Sequence, residues 1–303
     1  MEKQADWTVI KLLNWTVEYL QSRGFTAPRP EAEQLLGHVL SYKRLDLYLH
    51  FDEPVAPQHL DKYRDCIKRR LKHEPIQYIT GETEFYSLAF NVRPGVLIPR
   101  PETEILVDRA ISLCTEHWKN EERIHLLDMG TGSGNIAISL AKNLPKAEVA
   151  AVDISPEALE IARENAHNLE VENRIHFRRG SLFEMGGIAW KDLHGIVSNP
   201  PYVSSADFQA LPEEIRKYEP EEALHDQEDG FRFYPELCLR AQQWLRPGGF
   251  LMVEVAMNGA PRVLQTFKAS GFHNAAALQD LNDISRVVYG WKPESEEHIA
   301  DSH

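Results

Sequence analysis

The chain has 303 residues, of which 43% are hydrophobic and 26% charged, the ordinary proportions of a globular protein. Its net charge of −13 argues against binding to nucleic acid phosphates, which normally depends on Lys and Arg. Three widely separated cysteines and 13 scattered histidines show neither a disulfide framework nor metal-ligand spacing, and no apolar run approaches the roughly 18 residues of a membrane span. Because the N-terminus also lacks a signal-peptide layout, we expect a cytoplasmic protein.

The first 74 residues show the apolar periodicity of helices. The spacing predicts one helix over Trp7–Leu20 that ends at Gly24, a second that begins at Pro30, and a further one that ends before Pro75. We therefore expect a small N-terminal helical domain over residues 1–74, whose apolar stripes form its own core.

The charge is distributed unevenly along the chain. The first 84 residues are nearly neutral, with 12 Lys/Arg and 13 Asp/Glu, so the rest of the chain carries a net charge of −12. One dense basic run, Lys68-Arg69-Arg70 with Lys72, lies in the neutral part. It is predicted to be a solvated helix face, with docking of a negatively charged partner as the alternative.

Residues 75–102 are predicted to form a β-hairpin and a linker. The segments Thr83–Tyr86 and Ala89–Val92 supply the two strands, and the prolines that follow prevent a helix. Thr103 is then expected to cap a helix that carries apolar residues over 105–113.

Several side chains in this linker have two possible roles. Phe85, Tyr86 and Phe90 either pack the hairpin or line a substrate channel. Arg100 and Glu102, in a segment stiffened by proline, either structure a ligand site or form an ordinary ion pair between domains. The sequence leaves both questions open.

Strands and helices alternate from Ile124 onward, which predicts an α/β fold with a doubly wound, mostly parallel sheet. The predicted strands are centred near residues 126, 150, 177, 196 and 252, and the predicted helices lie over about 135–143, 156–168, 233–245 and 259–270. Residues 203–232 show little periodicity and are predicted to be a functional loop, whose role the sequence does not define. Residues 293–303 are predicted to be a polar tail.

A glycine-rich loop follows the first of these strands. The strand ends at Asp128 and continues into Gly130-Thr131-Gly132-Ser133-Gly134 before the next helix begins. Such a loop lets the backbone approach a ligand closely, and the helix N-terminus supplies free N–H groups. The spacing is Gly-x-Gly-x-Gly rather than the dinucleotide pattern, whose third glycine would fall at Asn135, and no Gly-Lys-Ser/Thr of a P-loop follows.

The second strand ends at Asp153, 19 residues beyond Gly134. An acidic residue at this position accepts hydrogen bonds from the two hydroxyls of a ribose. Together with a loop that does not fit a pyrophosphate, Asp153 indicates a nucleoside-bearing cofactor, and S-adenosylmethionine fits this description.

A second polar segment, Asn199-Pro200-Pro201-Tyr202, follows the strand centred near residue 196. The prolines remove two N–H donors and force an extended path, so the acceptors that remain are the Asn199 side-chain oxygen and the Pro200 carbonyl. A planar –NH2 group lying on Tyr202 would give one N–H to each acceptor. The alternative is a plain turn after a strand, because Asn-Pro is a common turn opening. We call residues 199–202 the hook.

These motifs together resemble the class I methyltransferases that act on an amide or an exocyclic amine. The segment Leu97–Glu104, Leu-Ile-Pro-Arg-Pro-Glu-Thr-Glu, resembles the signature of the protein-(glutamine-N5) methyltransferases of peptide chain release factors. The resemblance extends over nearly the whole chain. It implies a Rossmann-like seven-stranded sheet over residues 103–292, with an antiparallel final pair of strands near 275 and 287–291.

The chain departs from this family pattern in two loops. His225-Asp226-Gln227 follow Leu224, where the family pattern has a glycine. After the fifth strand, the segment 254–259 replaces the usual glycine and glutamine. Because both departures lie in loops, the expected fold and cofactor are unchanged. The details of substrate binding are left open.

The hook residues Asn199, Pro200 and Tyr202 are predicted to be catalytic, and with Pro201 to bind the substrate amide. Leu182 is predicted to border the adenine of the cofactor, with core packing as the alternative. The predicted cofactor-binding residues are Asp128, Gly130, Thr131, Gly132, Ser133, Gly134, Asp153, Leu182 and Asn199.

The resemblance implies transfer of a methyl group from S-adenosylmethionine to the glutamine of a Gly-Gly-Gln motif in a release factor. The helical domain is expected to dock this protein substrate, and the enzyme is expected to be a monomer that binds neither nucleic acid nor membrane. Two alternatives stay open from the residues themselves. One is N6 methylation of adenine in nucleic acid, which uses another –NH2 group, and the other is a non-catalytic protein that binds S-adenosylmethionine.

Overall fold

A computed structural model describes residues 7–183 and 191–294. They form two compact units, of which the first runs through Glu82 and includes Glu213–Tyr218, and the second comprises Thr83–Pro212 and the chain from Glu219 onward. Most of the predicted polar tail, 295–303, and the first six residues of the predicted helical domain lie outside the described residues. Within the described ranges, no helix is long and apolar enough to cross a membrane.

The first unit is helical. Its core contains fully buried leucines from three helices, among them Leu13, Leu35 and Leu47. The helices of this unit in the N-terminal part of the chain are α1 (Val9–Ser22), α2 (Pro28–Leu40), α3 (Arg44–Leu49), α4 (Pro57–Arg70) and α5 (Ile76–Thr80). The sequence predicted α1, α2 and α4, but not the short helices α3 and α5, and α5 lies within the predicted linker.

The basic run near the end of α4 is not a uniformly solvated face. Arg70 is only 6% exposed, and its guanidinium donates to both carboxylate oxygens of Glu31 at 2.8 and 3.0 Å and to Glu214 at 2.8 Å. It also lies 4.7 Å from the centre of the Phe25 ring. Lys68 is exposed and pairs with Asp65, so the prediction was correct for one end of the run and wrong for Arg70.

The second unit contains a two-stranded hairpin and a seven-stranded sheet. The strands are β1 (Glu82–Phe85), β2 (Leu88–Asn91), β3 (Ile124–Met129), β4 (Ala147–Asp153), β5 (Ile175–Arg179), β6 (Leu193–Ser198), β7 (Leu245–Glu254), β8 (His273–Gln279) and β9 (Ser285–Trp291). The order in the large sheet is β5-β4-β3-β6-β7-β9-β8. Within this sheet, β5, β4, β3, β6 and β7 pair in parallel, and β9 pairs antiparallel with both β7 and β8. The predicted doubly wound, mostly parallel sheet is therefore confirmed.

Helices cover the sheet and follow its strands. They are α6 (Thr103–Trp118), α7 (Asn135–Asn143), α8 (Pro156–Asn168), α9 (Ser205–Phe208), α11 (Glu221–Leu224), α12 (Phe233–Trp244) and α13 (Ala260–Ala269), and a 3-10 turn spans Glu172–Arg174. The helix α10 (Glu213–Tyr218) belongs to the first unit. Three of these short helices lie in the segment 203–232, which the sequence predicted to have little regular structure.

Two details near the hairpin resolve or correct predictions. Phe85 and Phe90 are buried in the core with their rings in edge contact at 6.0 Å, so they pack the hairpin. The predicted cap of α6 is wrong, because Glu102 occupies the N-cap position and Thr103 is the first helical residue. The hydroxyl of Thr103 instead donates to Glu254, 151 residues later in the chain.

The pairing of β6 with β7 requires a residue without a side chain at position 195. Gly195 lies opposite Phe250 in the register, and a Cβ atom there would overlap the Phe250 ring. That ring is fixed by stacking on Trp118, with centroids 5.8 Å apart, and by an edge contact with Trp291. The overlap therefore has no simple relief.

We expect Gly195→Ala to lower the free energy of unfolding by roughly 1–3 kcal/mol, the usual cost of overpacking a core. Phe250→Leu in the same chain should relieve the overlap, so the double variant should lose less stability than the sum of the two single variants. Urea denaturation of the four proteins measures both quantities. Additive losses would show that the overlap is not the cause.

Candidate active site

One cavity of about 630 Å³ lies at the carboxyl ends of the parallel strands. The volume is within the usual range for a small-molecule site, about 300–1,000 Å³. Most of the predicted site residues line it: Gly130, Thr131, Gly132, Ser133, Asp153, Leu182, Asn199, Pro200 and Pro201. Asp128, Gly134 and Tyr202, which were predicted to be site residues, are not among the lining residues.

The glycine loop bends back over the ends of β3 and β4. The N–H groups of Gly130 and Thr131 both donate to the Val152 carbonyl, at 2.8 and 2.9 Å. Gly134 has φ of +82°, and a Cβ atom there would lie 2.8 Å from Ile138 and 3.2 Å from Ala162. This glycine therefore serves close packing between α7 and α8, while the loop before it faces the cavity.

Asp128 holds the glycine loop to the start of α7. Its carboxylate accepts hydrogen bonds from the Thr131 hydroxyl at 2.7 Å and from the Ala137 N–H at 3.1 Å. The side chain is 0% exposed, and this burial raises the pKa of Asp128 to about 7. Its other oxygen has no hydrogen-bond partner within the described ranges.

Asp153 lines the cavity at the end of β4. One carboxylate oxygen accepts from the Gly132 N–H at 2.8 Å and the other from the Ser155 N–H at 3.0 Å. Burial raises the pKa of Asp153, and these backbone bonds oppose that rise. The side chain thus links the glycine loop to the start of α8 and lines the cavity between them.

The hook presents its first residues to the cavity. The Asn199 side-chain nitrogen donates to the Thr103 hydroxyl oxygen at 3.3 Å, and no hydrogen bond from the described residues engages the Asn199 side-chain oxygen. Tyr202 is turned away from the lining, because its hydroxyl donates to Glu254 at 3.1 Å. Burial and the neighbouring Glu254 carboxylate raise the pKa of Tyr202.

Glu254 is a residue that the sequence did not place in the site. It ends β7, is buried, and accepts from the Thr103 hydroxyl at 2.6 Å and from Tyr202. Burial raises the pKa of Glu254 to about 7, against the effect of these two donors. A signal was present, because Glu254 ends a parallel strand as Asp153 does, and Asn199 directly follows one.

An ion pair between Arg100 and Glu219 connects the linker to the segment that follows α10. Arg100 donates to Glu219 at 2.6 Å, and the Ile98 N–H donates to the other Glu219 oxygen at 3.1 Å. Arg100 also lines the cavity, and its partner lies in the same compact unit, so it is not an ion pair between domains. The segment 225–227, where the family pattern changes, lines the cavity as well.

Leu182 and Phe183 lie on the strand-end segment that follows β5. Leu182 is buried and lines the cavity, while Phe183 lines it and remains 39% exposed. The guanidinium of Arg232 lies 5.1 Å from the Phe183 ring centre, and the Phe233 ring lies 5.5 Å away. This part of the wall is apolar and aromatic, as a planar base requires.

Comparison with known proteins identifies similar sequences over almost the whole chain. Two family models match, the PrmC N-terminal domain over residues 11–81 and the methyltransferase small domain over residues 103–217. A release factor glutamine methyltransferase of Geobacter sulfurreducens is 44% identical, covering 95% of this chain and 98% of that protein. Proteins of the same name from Chlorobaculum tepidum and Rhodopirellula baltica are 39% and 36% identical, covering 94% and 93% of this chain and 98% and 95% of their own lengths.

A solved structure shows the same fold at low sequence identity. The hMettl16 catalytic domain, in complex with MAT2A 3′UTR hairpin 6, has a TM-score of 0.55 and 12% identity. The match covers 79% of this chain and 83% of that chain. At this identity the likeness concerns the fold alone.

The buried Asp128 carboxyl should make stability depend on pH. In the unfolded chain it loses its proton near its ordinary pKa of 3.8, but in the folded protein it keeps the proton up to about pH 7. Wild type should therefore lose stability relative to Asp128→Asn as pH rises from 4 to 7, by roughly 2–4 kcal/mol in all. Urea denaturation of both proteins across this range tests the sign, and a constant difference would contradict it.

Proposed function

Because this chain belongs to the family of release factor glutamine methyltransferases, we propose that it transfers a methyl group to the side-chain amide nitrogen of a glutamine in peptide chain release factors. The observation that carries the proposal is that the hook and the glycine loop line one cavity at the carboxyl ends of neighbouring strands. A ligand held by the loop and an amide held by the hook would therefore meet there.

The methyl donor is S-adenosylmethionine, whose sulfonium supplies an electrophilic methyl group when it is bound. The residues present fit this molecule. Asp153 offers carboxylate lone pairs for ribose hydroxyls, the wall near Leu182 and Phe183 offers an apolar surface for adenine, and the buried Ser133 hydroxyl has no hydrogen-bond partner within the described ranges. We assign cofactor binding to the loop residues Gly130–Ser133 as well, with Asp128 holding that loop in place. Gly134, predicted to bind the cofactor, does not line the cavity and packs α7 against α8 instead.

The hook supplies the substrate side of the proposed reaction. An amide nitrogen is a poor nucleophile, because its lone pair is delocalised into the carbonyl. The Asn199 side-chain oxygen and the Pro200 carbonyl would each accept one N–H, which orients the nitrogen and favours its pyramidal form as the new bond develops. Positioning and electrostatics of this kind account for large rate effects without a general base.

The glutamine of a Gly-Gly-Gln loop is the proposed acceptor. Glycines beside the target let the loop enter a narrow cavity and extend the side chain. The first compact unit is proposed to dock the rest of the release factor, because orientation by a large protein substrate can be used to position the reacting amide. Monomeric and cytoplasmic states and the lack of nucleic acid binding stay predictions from the sequence.

Incubation with radiolabelled S-adenosylmethionine tests the substrate. Intact release factor should become labelled, while its Gln→Ala variant at the Gly-Gly-Gln motif, duplex DNA and RNA should not. Free glutamine should react poorly, because it lacks the docking contacts. Label on the variant, or label on nucleic acid alone, would overturn the assignment.

Two substitutions should separate cofactor binding from methyl transfer. Asp153→Ala should weaken S-adenosylmethionine binding by roughly 1.5–3 kcal/mol, the range for hydrogen bonds to a charged group. Asn199→Ala should lower kcat by about 10²-fold or more while cofactor affinity changes little, because its acceptor acts as the bond forms. Calorimetry and single-turnover assays measure the two effects.

Asp61→Ala, which removes an exposed carboxylate of α4, is the matched control for loss of charge. It should alter neither property. If folded Asp153→Ala keeps its affinity, the ribose is bound elsewhere, and if folded Asn199→Ala keeps its kcat, the hook is only a turn.

A further inference from the structure

A chain of hydrogen bonds connects the hook to a buried carboxylate that does not line the cavity. The Asn199 side-chain nitrogen lies 3.3 Å from the Thr103 hydroxyl oxygen, which lies 2.6 Å from one oxygen of Glu254. The Tyr202 hydroxyl lies 3.1 Å from the other oxygen of Glu254. Three elements meet here, the hook after β6, the first turn of α6 and the end of β7.

The direction of these bonds follows from counting protons. When Glu254 is ionised it has only acceptors, so the single proton of the Thr103 hydroxyl must point to it. The Thr103 oxygen is then left as an acceptor for its other neighbour. Asn199 must therefore turn its –NH2 group toward Thr103 and its oxygen to the opposite side.

This matters because the two ends of an Asn side chain have nearly the same shape, so packing alone does not distinguish them. With the amide reversed, Asn199 would present N–H groups where the substrate also presents N–H groups. The acceptor on which the proposed reaction depends would be lost without any change in the backbone.

We propose that Glu254, acting through Thr103, fixes the orientation of the Asn199 amide so that its oxygen faces the substrate nitrogen. This inference rests on the proposed function, because it assumes that Asn199 accepts from the substrate. Glu254 and Thr103 are positioning residues. Glu254 does not line the cavity, and both of its oxygens are engaged, so it does not act as a base on the substrate.

The position of Glu254 is itself well fixed. Ser198 pairs with Val253 in the parallel ladder, so Glu254 lies one residue beyond that pair, as the first residue of the hook does. The Tyr234 hydroxyl donates to the Glu254 carbonyl at 3.1 Å, and the Val255 N–H donates to the Arg286 carbonyl at 2.8 Å. The carboxylate therefore has little freedom to follow a rotated Asn199 amide.

Two nearly isosteric substitutions remove the fixed donor-to-acceptor direction of these hydrogen bonds. Glu254→Gln introduces an –NH2 group that can donate to Thr103, which frees the Thr103 proton for the Asn199 oxygen. Thr103→Val removes the hydroxyl altogether. Assayed at pH 8, above the pKa of about 7 for Glu254, each variant should lower kcat for the release factor at least tenfold. KM for the release factor and Kd for S-adenosylmethionine should stay within about threefold.

Thr103→Ser is the matched control, because it keeps the hydroxyl and loses only a methyl group. It should recover most of the kcat that Thr103→Val loses. A purely structural role would instead move thermal stability and Kd along with kcat, and serine would then give no selective recovery of kcat.

A double-mutant cycle shows whether Thr103 acts through Asn199. In an Asn199→Ala background, Thr103→Val should change kcat by less than about threefold, since no amide is left to orient. Independent effects in the two backgrounds, or wild-type kcat in folded Glu254→Gln and Thr103→Val, would overturn the inference. If wild type does not label the release factor at all, it is the proposed function that fails.

Discussion

The register of the parallel strands is the constraint on which the site depends. Met129 on β3 pairs with Val152 on one side and with Ser198 on the other, and Ser198 pairs in turn with Val253. The residue directly after each paired position on these neighbouring strands is polar: Asp153 after Val152, Asn199 after Ser198 and Glu254 after Val253. Because side chains alternate between the faces of a sheet, a slip of one residue would turn these groups to different sides.

Three buried carboxylates stabilise the loops around the cavity. Asp128 holds the glycine loop, Glu219 holds the linker through Arg100 and a backbone N–H, and Glu254 holds the hook and the start of α6. Removing a carboxylate from water is unfavourable, and each of these groups receives at least two donors that offset the cost. The loops are thereby fixed by side chains that do not line the cavity.

In the first compact unit, a buried cation has the corresponding role. Arg70 connects helices that are distant in sequence. Its partners Glu31 and Glu214 lie on α2 and α10, so one guanidinium connects α4 to a residue 144 positions later in the chain, within the same unit. Arginine suits this role, because its planar group donates to two carboxylates and still packs on the Phe25 ring.

The sequence by itself determined the alternation of the main strands and helices, and the positions of the glycine loop, Asp153 and the hook at or after strand ends. These features are local, since periodicity, glycine spacing and two prolines constrain the chain within a few residues. The tertiary structure alone decided that Thr103 bonds to Glu254 rather than capping its helix, that Arg70 is buried, and that α5 forms in the linker. Those outcomes depend on partners far away in the chain, and a hydroxyl or a guanidinium carries no local signal of which distant acceptor it will meet.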